Sequence, residues 1–163
     1  MKAAVFSDTH GNIAAACRAV RSCRPDVILH LGDYERDADA IRAQFPDIPL
    51  YGVCGNCDMR AKSPAALTVE LGPVRAFLTH GHLYDVKWSG PDRVIWAAME
   101  AGAKLALYGH THIPDQVTAG GITALNPGSA GTGRNPTWAL VEIFDNGGFA
   151  CEIREFAPAE GGK

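Results

Sequence analysis

The sequence lacks any apolar run of the roughly eighteen residues that a membrane-crossing helix needs. It lacks a surplus of positive charge, since 15 Lys and Arg against 18 Asp and Glu leave a formal charge of -3. A broad surface that grips nucleic acid or an anionic membrane is therefore excluded. It also lacks an even set of cysteines: the 5 present are Cys17, Cys23, Cys54, Cys57 and Cys151, an odd number unsuited to a disulfide framework. Cys54 and Cys57 share a CxxC spacing, but no second pair completes a four-cysteine zinc site, so they read as one core and one loop cysteine. No internal repeat or low-complexity linker interrupts the chain, and its first apolar stretch is too short for a signal-peptide core. The expectation is one soluble, cytoplasmic, unprocessed domain over residues 1–163, with 157–163 a frayed tail. What the chain does have is 47% hydrophobic residues, ample for a core, together with 18 glycines and 6 histidines.

The patterning predicts an α/β chain. Apolar runs at 2–6, 26–31 and 49–54 read as buried parallel strands. Helices are predicted between them, one capped by the Asn12 side chain and ending near Cys23, the other over 35–45. Further strands are expected at 67–71, 74–79, 105–108, 116–119, 122–125, 138–144 and 149–156, the last two joined by an Asn-Gly-Gly turn. Pro91 opens a third helix whose apolar face is read as Val94, Ile95, Ala98 and Met99, with Trp96 as a core residue and Trp88 as a loop contact. Strand–helix alternation followed by hairpins implies sheets that end in antiparallel strands. Ligands in such folds bind beyond the carboxyl ends of the parallel strands.

Chemistry-bearing residues collect at those ends: Asp8 and His10, Asp33, Asn56, His80 and His82, His110 and His112. His30 alone among the histidines reads as an ordinary core residue. Asp, His and Asn together suit manganese, iron, zinc, nickel or cobalt. Extended backbone would place Asp8 and His10 on one side, and His110 and His112 likewise. Seven ligands exceed what one transition metal accepts and suit two that share a carboxylate; paired metals clamp the attacking and leaving oxygens of an in-line phosphoryl displacement.

Asp-x-His, Gly-Asp, Gly-Asn, His-Gly-His and Gly-His-x-His, in this order, resemble the calcineurin-like metallophosphoesterases. The short length, Gly55-Asn56-Cys57-Asp58 and Asn126-Pro127-Gly128-Ser129 resemble more narrowly the small YfcE-type phosphodiesterases, over residues 5 to about 144. The resemblance implies a four-layer α/β/β/α sandwich of two mixed sheets flanked by helices. It implies two divalent ions, manganese first, with nickel, zinc, iron, cobalt or magnesium as alternatives. Asp8, His10 and His112 would hold one, Asn56, His80 and His110 the other, and Asp33 both. A hydroxide between the ions would attack the phosphorus of a small phosphodiester. Asn56 also counts as catalytic, because its amide can reach the phosphate. The family usually has a histidine after this asparagine as proton donor; here Cys57 stands there, expected as filler first and as a weak donor second. His82 is expected to support the ligand His80.

Weaker signals are Asn126 to Ser129, either a phosphate-binding or a packing turn, and Arg134, read as a solvated loop residue. Rival readings are a protein-interaction scaffold like the retromer subunit of this fold, a Cys54–Cys57 thiol redox pair, and a nuclease, which the net charge disfavours. Self-association is left open.

Overall fold

The computed structural model describes residues 1–133 and 135–156, so Arg134 and the expected frayed tail lie outside the described residues. The chain runs β1 (Lys2–Phe6), α1 (Ile13–Cys23), β2 (Val27–His30), α2 (Glu35–Gln44), β3 (Leu50–Gly52), β4 (Ala66–Leu71) and β5 (Val74–Thr79). A single 3-10 turn (His82–Tyr84) follows, then α3 (Val86–Ser89), α4 (Asp92–Glu100), β6 (Leu105–Leu107), β7 (Asp115–Ala119), β8 (Ile122–Asn126), β9 (Thr137–Ile143) and β10 (Phe149–Glu155). One sheet has the order β10-β9-β1-β2-β3 and the other β4-β5-β6-β8-β7. Each is parallel at its centre and antiparallel at an edge: β1–β2–β3 and β5–β6–β8 run parallel, while β9, β10, β4 and β7 run against their neighbours.

Alternation along the strands builds the layers. In β1, Ala3 and Val5 point between the sheets, where they meet Leu29, Leu78, Leu107 and Leu125. Ala4 and Phe6 point outward and pack with Val20 of α1 and Ile41 of α2. On the far sheet, Phe77, Ala106 and Ala124 face Val94, Ile95 and Ala98 of α4. The result is the expected α/β/β/α sandwich of two mixed sheets flanked by helices. Strands buried on both faces explain why so many read as unbroken apolar runs.

Several local expectations are corrected. Asn12 stands at the cap of α1 but its side chain makes no capping hydrogen bond; its own N–H donates to Thr9 O at 2.9 Å. Trp96 is 66% exposed and Met99 is also exposed, because α4 turns only Val94, Ile95 and Ala98 inward. Residue 96 lies about 100° around the helix from 95, off the buried stripe. Trp88 belongs to the short α3 and is 89% exposed. Among the described residues no helix is long and apolar enough to cross a membrane.

Candidate metal centre

The loops after β1, β2 and β3 of one sheet and after β5 and β6 of the other converge where the parallel strands end. Asp8, His10, Asp33 and His112 each offer a ligand atom, and these four atoms lie within 4.8 Å of one another. His112 Nε2 stands 3.0 Å from Asp8 Oδ1, with His10 Nε2 and His80 Nε2 each 3.9 Å from that same oxygen. Asp33 faces two ways: Oδ2 lies 3.9 Å from His10 Nε2, and Oδ1 lies 3.5 Å from His80 Nε2. Asn56 Oδ1 is 3.2 Å from His80 Nε2, and the His110 ring centroid is 5.0 Å from that of His80. The seven candidates therefore form two adjoining groups, one around His10 and His112 and one around His80, with Asp33 between.

The backbone that achieves this is not extended. Asp8, His10, Asp33, His110 and His112 all have left-handed φ, from 45° at His10 to 71° at His110. The alternation argument for these residues is therefore wrong; each side chain is aimed by a tight turn. A non-glycine residue in this region costs about 1 kcal/mol and persists only where its surroundings hold it.

Those surroundings are visible. Asp8 N–H donates to Gly32 O at 3.1 Å, and its carboxylate Oδ2 accepts from Ser7 Oγ and from His110 N–H. Two glycines leave room for the carboxylates. A Cβ on Gly109 would stand 1.9 Å from Ser7 Oγ, and one on Gly55 would stand 2.1 Å from Asp33 Oδ1. Sequence reasoning singled out the Asn126–Ser129 turn but not the strap that continues from it behind Asp8. Ser129 Oγ donates to Asp8 O at 2.8 Å, Gly131 N–H donates to the same oxygen at 3.1 Å, and Thr132 Oγ1 lies 3.0 Å from His112 Nδ1. The small-residue stretch from 128 to 133 is the only signal in the sequence that pointed there. Asn126 is buried, donates to Gly109 O and Thr111 Oγ1 and accepts from Gly128 N–H, the packing alternative for that turn.

The electrostatics favour an ionised, cation-seeking pocket. Burial pushes the Asp8 carboxyl up, but contact with His112, the charge of His80 and the Ser7 hydroxyl outweigh it and hold it below the usual range. Burial, then His80 and Lys87, take His110 down to about 4, while contact with Asp8 raises His112. Asp8 Oδ1 is buried without a hydrogen-bond partner, and it is the oxygen around which three histidine nitrogens gather. An orphaned carboxylate oxygen among imidazole nitrogens and a second carboxylate is a donor set that fits a divalent ion.

His82 lies beside the site rather than in it: its ring centroid is 5.4 Å from that of His80 and 6.1 Å from that of His110. Cys57 is exposed, and both its main chain and its thiol touch the site: the N–H donates to Asp33 Oδ1 at 2.9 Å, and Sγ accepts from Asn56 Nδ2 at 3.5 Å. Burial, then the hydrogen bond and charge of Asp33, push that thiol up to about 11. His30 is buried as expected, yet it also takes part, accepting from Gly32 N–H and facing Thr9 Oγ1 at 3.1 Å.

Residues 1–146 match the model of the calcineurin-like phosphoesterase superfamily domain. The chain belongs to that superfamily. Phosphodiesterase YfcE of Escherichia coli K12 is 35% identical over 105 residues, which cover 60% of this chain and 53% of YfcE. The crystal structure of a predicted phosphoesterase from Streptococcus pneumoniae TIGR4 is 32% identical, superposes with a TM-score of 0.79, and is matched over 96% of this chain and 92% of that one. Wild-type Vps29 of Entamoeba histolytica, solved with zinc, covers 96% of this chain and 100% of its own at a TM-score of 0.73. At 21% identity that last likeness concerns the fold alone. Membership of this superfamily supports a phosphoesterase function, and the Asp and His cluster is a candidate site for the divalent metals that calcineurin-like phosphoesterases use.

Proposed function

We propose that the chain hydrolyses phosphodiesters with two divalent ions, Asp8, His10 and His112 holding one, Asn56, His80 and His110 the other, and Asp33 both. The observation that carries this reading is the split of Asp33, one oxygen toward His10 and the other toward His80. When bound, such ions supply positive charge to the phosphoryl oxygens and make water acidic enough to yield hydroxide near neutral pH.

The remaining work is done by the chain. His80 Nδ1 donates to Leu31 O at 2.8 Å, which orients the ring so that Nε2 faces Asp33 and Asn56. Asn56 adds no charge, and its amide N–H can donate to a phosphoryl oxygen. Cys57 Sγ keeps its proton at neutral pH and gives it up reluctantly, with a pKa of about 11. This favours esters whose leaving group departs without a proton, such as aryl esters. Cavities of about 390 Å³ beside Tyr34 and Cys57 and about 520 Å³ beside Thr111 flank the site, in keeping with a substrate that carries an organic group on each side of phosphorus.

Stripping the protein with chelator and titrating manganese by calorimetry tests the stoichiometry. We expect two equivalents per chain, and one equivalent sinks the paired-ion reading. Bis(4-nitrophenyl) phosphate should be hydrolysed faster than 4-nitrophenyl phosphate; the reverse order would make the enzyme a monoesterase. The alternative, a protein-interaction scaffold of the same fold, predicts turnover of neither ester with manganese, nickel, zinc or magnesium bound.

A further inference from the structure

The cavity of about 520 Å³ is within the size range of small-molecule sites, and it borders the loop that carries two of the candidate metal ligands. Thr111, the residue between His110 and His112, forms part of its wall, as does Lys87. Trp88 and Ile113 supply apolar wall, and both are largely exposed, at 89% and 67%. An indole so exposed, on a four-residue helix, gains nothing from the core of this protein. Tyr108 and Asp115 also face the cavity, the phenol donating to Asp115 Oδ2 at 3.0 Å. A carboxylate is an acceptor only, so Asp115 disfavours a second anionic group there and accepts N–H donors on a ring edge.

We infer that this cavity binds a planar aromatic ring carried by the phosphodiester, stacked on Trp88. The inference rests on the phosphodiesterase reading above and narrows its substrate class. A flat ring suits a rigid indole because stacking requires no ordering of either partner's own bonds. The ring can be an aryl group esterified directly or a nucleobase joined through its sugar; both present the same face to Trp88.

Three 4-nitrophenyl phosphodiesters with one leaving group separate these cases: the methyl, phenyl and thymidine 5′ esters. With manganese bound, kcat/KM for the phenyl or thymidine ester should exceed that for the methyl ester. Trp88→Ala should cut that ratio about tenfold, the usual scale of one lost stacking contact. Trp96→Ala, which removes an exposed indole remote from the cavity lining, should leave the ratio as it is. A preference confined to the thymidine ester assigns the cavity to a nucleobase, and one shared with the phenyl ester assigns it to aryl groups generally. The nitrophenyl ring of the methyl ester can itself enter the cavity, so a ratio unmoved by Trp88→Ala, together with an unmoved KM for the methyl ester, overturns the inference while turnover itself leaves the phosphodiesterase reading standing. Should no ester be turned over, that reading fails alone, and tryptophan fluorescence decides the cavity. Saturable quenching by phenyl phosphate or thymidine monophosphate, absent with methyl phosphate and lost in Trp88→Ala, sustains it; no such quenching overturns it.

Discussion

The main-chain N–H of Cys57 donates to Asp33 Oδ1 at 2.9 Å, so residue 57 positions the central carboxylate through its backbone, a contact that survives a change of side chain. Cys57→Ala should therefore keep aryl diester hydrolysis within about twofold of wild type. Cys57→His would add a group with a pKa near 6.5, better matched to protonating a poor leaving group. The alkyl-to-aryl rate ratio should rise about tenfold or more, on the scale of general-acid contributions. An unchanged ratio would show that the leaving group needs no donor at this position.

Thr132 Oγ1 meets His112 Nδ1 and also Ser129 Oγ, fixing the imidazole from behind. Thr132→Val keeps the shape and removes the partner. Metal affinity, measured by competition with a chelating dye, should fall by roughly 10–100-fold, the usual effect of losing such support. Thermal unfolding of the metal-free protein should move little.

Gly109 has no space for a methyl group. Gly109→Ala would drive a Cβ into Ser7 Oγ and against Asp8 Oδ2, at separations of 1.9 and 2.9 Å before relaxation. We expect a loss of about 1–3 kcal/mol in urea unfolding, as for overpacked cores. Adding Ser7→Ala should return part of it, since the hydroxyl is the nearer obstacle. Full stability in Gly109→Ala alone would mean that the two loops stand farther apart than described.

His30 offers a pH signature that can be read on the metal-free protein. Burial lowers its pKa to about 4, against 6.5 for a free histidine. Its Nδ1 already accepts from Gly32 N–H, so a second ring proton would face a donor. The unfolded chain thus binds a proton that the folded one refuses between pH 6.5 and 4. Stability rises with pH across that window and is lost as pH falls through it, by up to about 3 kcal/mol at 1.36 kcal/mol per pKa unit. His30→Gln should flatten the urea-midpoint profile over those pH values; an unaltered slope would place the dependence elsewhere.

Strand ends were legible in the sequence because burial and alternation are local signals. All seven candidate ligands stand within the loops that those strands feed. Their backbone was not legible: a period of two suggested extended Asp8–His10 and His110–His112 pairs, whereas those four residues are left-handed. Such turns are imposed by contacts from afar, notably Ser129 and Gly131 on Asp8 O, more than one hundred positions away along the chain. The short α3 escaped notice because four residues, Val-Lys-Trp-Ser, show no periodicity. Trp96, read as a core residue of the helix face, is exposed because its angular position on α4 lies off the buried stripe.

Asp8, His10, Asp33 and Asn56 come from loops of one sheet, and His80, His110 and His112 from loops of the other. An ion shared among them is a rivet through two plates. The apolar layer between the sheets resists their separation but, being non-directional, resists sliding poorly. Directional bonds at one end supply that shear resistance. Metal occupancy should therefore slow hydrogen exchange in the central strands of both sheets together, although no ligand lies within those strands.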